Sequence, residues 1–354
     1  MSPEDRARWM RHAVSLSTHQ YPHPNPRVGA ILVGSDGSVL GEYAHRGVGE
    51  THAERGLLER VEEVPVDATL VVTLEPCVHT GRTPPCVDAI VAAGVRRVIV
   101  GSVDPDERVA GRGVAALRDA GIAVEVGIEQ HAVEDADPGY FHHRRTGLPL
   151  VTLKQATTLD GQTAAADGSS RWITGTAARE DAHRLRSQYD AVLVGAGTVR
   201  ADDPRLDVRL TGYDGPQPVP VLVAGRRPLP ADLRVWDRHP IVIASDEASL
   251  PGLDVIRAGS GGVVDLRAAM EGLAARGLLS VLVEGGAGIA AALWESGLVA
   301  RGTVYLAGKM AGGTGRGSFD RVFSTLTEAV DVVITSVVHL GPDLRIDWRV
   351  AGPS

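Results

Sequence analysis

Both cysteines of this chain, Cys77 and Cys86, stand nine positions apart in one stretch, TLEPCVHTGRTPPC, residues 73–86. Upstream, THAERG carries His52 and Glu54 on either side of Ala53. His52, Cys77 and Cys86 are three donors of the borderline-soft type that zinc prefers, and one ion held by all three would pin both ends of the loop between the cysteines. Three protein ligands leave a fourth position for water, as a catalytic zinc requires, and zinc lowers the pKa of that water to about 7. Cys86 follows two prolines and reads as the start of a helix, where the macrodipole favours a thiolate.

Each residue also has a plainer reading. Two cysteines can be small buried hydrophobes, and Thr51-x-x-Glu54 reads as a capping box, a role compatible with catalysis. The zinc reading needs all of them in one order, and that order is present. Zinc deaminases carry His-x-Glu, then Pro-Cys-x-x-Cys, with the glutamate as proton shuttle. Here His52-Ala53-Glu54 is followed by Pro76-Cys77 and by a Cys86 displaced by six extra residues.

Composition bounds the rest. A chain of 354 residues predicts two domains. With 44% hydrophobic and 4% aromatic residues, the cores must be mostly Val, Leu, Ile and Ala. A net charge of −8 argues against a non-specific nucleic-acid binder. No apolar run is long enough for a bilayer, and MSPEDRARWM has charges where a signal peptide needs its apolar region. A reducing, cytoplasmic location is expected, where neighbouring cysteines bind metal or do chemistry rather than form disulfides.

Along the chain, Ser2-Pro3-Glu4-Asp5 reads as a capped helix start. Strands are expected at 28–33, 39–46, 68–74, 96–102 and 122–127, with helices from 51, at 85–93 and near 113–120, an alternation that predicts a three-layer α/β domain. DPGYFHHRRTGLP (137–149) breaks the periodicity and reads as a linker. A second series follows, with strands at 150–156, 191–195, 219–225, 240–245 and 280–286 and helices near 175–187, 265–276 and 287–297. The tail reads as two antiparallel strands around Gly341-Pro342.

HPNPRVGAILV, HAE and TLEPCVHTGRTPPC closely resemble the deaminase half of the bifunctional riboflavin-biosynthesis deaminase–reductase family. The resemblance implies a cytidine-deaminase-like three-layer α/β/α domain over 1–146 and a dihydrofolate-reductase-like α/β domain over 147–354. It implies one zinc per chain on His52, Cys77 and Cys86, with Glu54 catalytic. The substrate it implies is 2,5-diamino-6-ribosylamino-4(3H)-pyrimidinone 5′-phosphate, touched by Asn25, His45, His79 and Arg82. Arg and His donors suit a phosphate, and an amide suits a base edge. Ala30 and Arg55-Gly56 depart from the family's usual residues without removing a ligand.

LKQATTLDGQTA (153–164), SSRWITG (169–175), LRSQYDAVLVGAGTVRADDPRLDVR (185–209) and VLVEGGAGIAAALWESGLV (281–299) resemble the family's reductase half. That half implies NADPH as second cofactor and reduction of the ribosyl group to ribityl. Ala156, Trp172, Thr198, Asp202, Gly225, Gly286, Ala287 and Gly288 would meet the cofactor. Ser170, Arg186, Leu206, Arg209 and Glu284 would meet the sugar-phosphate substrate. By themselves, glycines before a helix suit a phosphate approaching backbone N–H groups. Gly225, Thr158 and Gln162 are variants, and Arg226-Arg227, just past a strand end, suit the 2′-phosphate of NADPH.

Two other classes of protein fit the sequence less well. A nucleic-acid-editing deaminase needs a basic, aromatic-rich face that the sequence lacks. A closed structural zinc module needs a fourth protein ligand, for which His79 is the obvious candidate. The partners expected are a small pyrimidine ribosyl phosphate and a second copy of the chain in a homo-oligomer, a dimer first, with neither nucleic acid nor membrane.

Overall fold

The computed structural model describes the chain apart from residues 80–83, 171–172, 225–228, 249, 251, 314, 321–324 and 352–354. It divides into two compact units, Met1–Gly147 and Leu148–Ser354.

The first unit runs α1 (Pro3–Thr18), β1 (Gly29–Val33), β2 (Val39–Ala44), α2 (Ala53–Leu58), β3 (Thr69–Leu74), α3 (Cys86–Ala92), β4 (Arg97–Ser102), α4 (Arg112–Asp119), β5 (Ala123–Val126), α5 (Gln130–Ala136) and α6 (Pro138–Thr146). Ser2 and Asp5 close the expected capping box at the start of α1. The five strands form one sheet in the order β2-β1-β3-β4-β5. The β2-β1-β3 part is antiparallel and β3-β4-β5 parallel. Every residue of β1 and β3 is buried, which is why both read as unbroken apolar runs.

The expected linker is not one. Residues 137–149 include α6, capped by Asp137 and burying Tyr140 and Phe141 in the first unit. Four consecutive cationic or titratable residues, His142 to Arg145, hid its apolar face. Helix α5, just before it, was also not foreseen.

The second unit runs β6 (Leu150–Thr158), β7 (Gln162–Ala164), α7 (Thr176–Arg186), β8 (Ala191–Gly195), α8 (Ala196–Asp202), β9 (Val219–Val223), β10 (Ile241–Ala244), β11 (Asp254–Arg257), α9 (Leu266–Ala274), β12 (Ser280–Val283), α10 (Ala287–Glu295), β13 (Val299–Ala307), β14 (Arg316–Gly317), β15 (Val332–Leu340) and β16 (Asp343–Val350). Nine strands form one sheet, β11-β10-β9-β8-β12-β6-β13-β16-β15. It is parallel from β11 to β13, then antiparallel through β16 and β15. Strands β7, β11, β13 and β14 were not expected from the sequence. The two tail strands were, and their turn falls at Gly341-Pro342.

Candidate active sites

In the first unit the site collects where β3 ends and two short helices begin. His52 is the N-cap residue of α2, Cys77 lies just past β3, and Cys86 is the first residue of α3. The His52 Nδ1 atom lies 3.3 Å from the Cys86 sulfur and 3.6 Å from that of Cys77. The three ligand atoms lie within 4.8 Å of one another. A tetrahedral zinc with ordinary Zn–S and Zn–N bonds separates such donors by about 3.6 Å. Donor chemistry and spacing therefore fit that ion. Among the described residues the group has three members, and His79 is not one of them, so the closed four-ligand alternative gains no support.

The two neighbouring thiols push each other's acidity in opposite directions. The hydrogen bond from Cys86 lowers the Cys77 thiol to about 4, with further help from His52 and the Cys86 backbone N–H. The Cys86 thiol is pushed up by the neighbouring Cys77 and by burial. Glu54, 4% exposed, is raised to about 7 by burial first and by the Cys77 charge second. A buried carboxyl poised there can take and give a proton near neutral pH. The expected Thr51–Glu54 capping box does not form: the N-cap is His52, and its side chain makes no capping bond. An imidazole held ready for a metal cannot also turn back to cap its own helix.

A second layer holds His52. His45, 2% exposed, contacts the Thr51 carbonyl through Nδ1 at 3.1 Å and the Asn25 amide nitrogen through Nε2 at 3.0 Å. The amide must donate, so Nε2 accepts and Nδ1–H donates to Thr51. That neutral tautomer agrees with a His45 pKa lowered by burial. The His45 ring meets the His52 ring edge-on at 5.3 Å. Asn25 and His45 are thus brought to the metal ligands. His79 lies two residues past Cys77 with a buried Nδ1 that has no hydrogen-bond partner among the described residues. Arg82 lies outside the described residues.

Sequence reasoning missed Glu75, although TLEPC displays it. Buried two residues before Cys77, its carboxylate accepts from the backbone N–H groups of Asp104 (3.2 Å), Gly111 (2.8 Å) and Val114 (2.9 Å). It fixes the approach to the first cysteine. The departures at Arg55-Gly56 have local reasons. A Cβ on residue 56 would lie 2.4 Å from the Tyr43 ring, so glycine lets α2 press on β2. Arg55 reaches the Pro85 carbonyl, just before Cys86. Ala30 is fully buried in β1.

In the second unit, Glu284 follows β12 and grips Arg186, the last residue of α7, through two parallel bonds of 2.8 Å. Burial works to raise Glu284, but the charges of Arg186 and then Lys154 overcome it and hold the group at about 2. Arg186 also donates to the Asp207 carbonyl, and the Asp207 carboxylate pairs with Arg209. Leu206, beside them, is buried with φ +56°, a rare conformation for leucine, and Arg238 donates to its carbonyl at 2.6 Å. Arg186, Leu206, Arg209 and Glu284 therefore converge. Ser170 is exposed in the segment before α7.

Four of the cofactor candidates, Thr198, Gly286, Ala287 and Gly288, gather at two helix starts. Strands β8 and β12 are parallel neighbours, and α8 and α10 begin just past them. Thr198 accepts the Gly286 N–H at 3.1 Å, joining the two starts. A Cβ on residue 285 would lie 2.0 Å from Ile289, so only glycine lets the chain turn into α10 there. Ala287 and Gly288 open that helix, and a Cβ at either Gly197 or Gly288 would meet open space. Helix starts just past strand C-terminal ends suit a dinucleotide phosphate. Ala156 lies on β6 opposite Tyr305 of β13, and Asp202 is exposed at the end of α8. Trp172, Gly225 and Arg226-Arg227 lie outside the described residues.

Lys154 was missed here. Its ammonium stands 5.5 Å from the centre of the Tyr305 ring and interacts with Glu284 and Arg186. Burial lowers its pKa. The signal was in the composition: of 36 Lys and Arg, only Lys154 and Lys309 are lysines, and Lys154 interrupts a buried strand. His183 was missed too; its Nδ1 accepts the Arg209 N–H at 3.3 Å, and burial and the Arg186 and Arg209 charges lower it to about 4.

These two sites define a zinc-dependent deaminase joined to a nicotinamide-dependent reductase. Residues 3–102 match the cytidine and deoxycytidylate deaminase zinc-binding region, and residues 149–346 match the RibD C-terminal domain. The chain is 38% identical to the riboflavin biosynthesis protein RibD of Escherichia coli over 91% of its own length and 92% of that protein's. It is 38% identical to the RibD of Chlamydia muridarum over 99% and 98% of the two chains. The structure of Acinetobacter baumannii RibD superposes with a TM-score of 0.91 at 34% identity, covering 99% of this chain and all of that one. A deaminase/reductase from Thermotoga maritima gives 0.89 at 32% identity over 99% of each chain. The chain belongs to the RibD family of bifunctional riboflavin-biosynthesis deaminase–reductases, with a cytidine-deaminase-like domain and a dihydrofolate-reductase-like domain. Zinc and NADPH are its cofactors, and its substrate is a small pyrimidine.

Proposed function

We propose that the first unit removes the ring amine of 2,5-diamino-6-ribosylamino-4(3H)-pyrimidinone 5′-phosphate, and that the second reduces the ribosyl group of that product to ribityl. The observation that carries the first step is the convergence of Glu54 with His52, Cys77 and Cys86. Zinc on these three ligands supplies water activation at neutral pH. Glu54 takes the proton from water and delivers it to the departing amine, so ammonia leaves and a ring carbonyl remains. Asn25 and His45 orient the substrate beside the ligands, with His79 and Arg82 on the loop between the cysteines. In the second unit Arg186, Arg209, Leu206, Ser170 and Glu284 hold the sugar phosphate. Thr198, Asp202, Ala156, Trp172, Gly225 and the 286–288 turn hold NADPH, which supplies the hydride.

A coupled assay tests this order. With the diaminopyrimidine substrate alone, ammonia should be released and nothing reduced. Adding NADPH should start its oxidation only after ammonia appears. Oxidation that precedes ammonia release would overturn the assignment.

The same reading places the enzyme in the cytoplasm, free of nucleic acid and membrane, as a homo-oligomer, a dimer first. Both thiols are free, as a reducing compartment keeps them. Among the described residues no helix is long and apolar enough to cross a membrane. Strand β15 ends its sheet with Val332, Val333, Ile334, Val337 and Val338 all exposed, Ile334 by 61%. An uncovered apolar edge strand invites another chain, and a second copy is the occupant proposed. Ile334→Lys with Val337→Lys should convert the enzyme to monomer in sedimentation at micromolar concentration. An unchanged sedimentation coefficient would move the interface elsewhere.

A further inference from the structure

Outside both sites, a buried carboxylate in the segment that reads as a linker ties distant parts of the first unit together. Asp137 is 2% exposed and caps α6. Its shortest bonds do not go to that helix. One oxygen meets His23 Nε2 at 2.8 Å, and the other accepts the Arg27 backbone N–H at 2.8 Å. The capping contact to the Tyr140 N–H is longer, at 3.4 Å. Arg27 returns the grip by donating to the Ala136 carbonyl at 3.1 Å.

His23 and Arg27 lie two residues either side of Asn25, in the run His23-Pro24-Asn25-Pro26-Arg27. Two prolines fix φ inside the run, so anchoring its two ends leaves Asn25 little freedom. The Asn25 N–H closes a turn onto the Pro22 carbonyl at 3.1 Å. From its far side the Asn25 amide meets His45, whose other nitrogen meets the carbonyl of Thr51, next to the ligand His52. One buried carboxylate thus stands behind a line of contacts that ends at the metal ligands. Helix α6 also ties down the segment after β4, because Tyr140 donates to the Asp104 carboxylate at 3.0 Å.

We propose that Asp137 is a positioning residue for deamination: through His23 and the Arg27 backbone it clamps the loop that presents Asn25 to the substrate. The inference rests on the substrate contact assigned to Asn25 above. It makes the end of the first unit part of the deaminating machinery rather than a spacer.

Asp137→Ser separates clamp from cap, because serine is a good N-cap but is too short to reach His23 and Arg27 together. In the full-length, zinc-loaded enzyme, hydrogen exchange at the Arg27 amide should quicken by about tenfold or more, the scale of losing one charge-assisted hydrogen bond. KM for the diaminopyrimidine substrate should rise by about the same factor. Zinc content and NADPH-dependent reduction of the deaminated intermediate should stay as in the wild type. Asp137→Asn, which keeps one strong acceptor, should fall between. In an Asn25→Ala background Asp137→Ser should add almost nothing to KM, since both act on one contact. Unchanged exchange at Arg27 would overturn the clamp. A second full rise in KM in the Asn25→Ala background, or a loss confined to zinc content, would overturn its link to the substrate. Asn25→Ala with normal KM would instead remove Asn25 from the substrate site, a failure distinct from the exchange result.

Discussion

Cys86→Ser is expected to empty the first unit of zinc and to stop ammonia release, while leaving the second unit able to reduce deaminated substrate. Cys86 is buried and its sulfur sits 3.3 Å from His52 Nδ1, within the set of three donors. A serine hydroxyl is a harder and poorer zinc ligand at neutral pH than a thiolate. Losing only an outer-shell partner typically costs 10–100-fold in metal affinity or activity, so losing a ligand should cost deamination at least about 100-fold. Cys77→Ser and His52→Ala should behave alike, because the three donors form one set. Zinc should be about one per wild-type chain by elemental analysis. Dialysis against a chelator should reproduce the variants' phenotype, and adding zinc back should restore the wild type only. The reductase assay on the same samples is the internal control. Full zinc retention in Cys86→Ser would remove that residue from the metal site.

The metal centre was legible because its signal lies in residue identity, not in periodicity. A histidine and two cysteines in order survive any error in element boundaries. The most buried parallel strands were legible for a related reason: β3, β8 and β12 are buried at nearly every position, so their β-branched runs stand out. Helix α6 was not, since it buries only a short stretch, Gly139 to Phe141, before the polar run His142 to Arg145. Strand β13 was missed because Arg301 and Gly302 interrupt its apolar pattern. The reason lies on the neighbouring strand. Gly302 pairs with Trp348, and a Cβ there would lie 2.1 Å from the indole. The partners that give Glu75, Asp137 and Lys154 their roles are distant in sequence: Asp104 for Glu75, His23 for Asp137 and Glu284 for Lys154. No local window contains both members of such a pair. Such residues declare themselves only by oddity: one of just two lysines in an arginine-rich chain, or a glutamate at an apolar strand end.

Glu54→Gln should separate chemistry from architecture in the same site. The side chain is buried, so its charge has no solvent to fall back on, and its pKa of about 7 comes from that burial and the Cys77 charge. Glutamine has nearly the same shape and can still meet a hydrogen-bond donor through its carbonyl. It needs to replace no helix cap, because the N-cap of α2 makes no side-chain bond. Taking a potentially charged group out of a buried pocket is, if anything, stabilising. Melting temperature and zinc content should therefore stay within experimental error of the wild type. What glutamine cannot do is accept a proton from water and pass it to the amine. Loss of a general acid–base is worth about 10²–10⁴ in rate, so ammonia release should fall by at least about 100-fold at saturating substrate. KM should change little, since Asn25 and His45 keep their places. Reduction of pre-deaminated substrate by NADPH should be unaffected. Two results would each defeat the assignment: normal ammonia release by Glu54→Gln, or a loss that tracks a fall in bound zinc. The first would leave Glu54 with no chemical role, and the second would make it a support for the metal rather than the carrier of the proton.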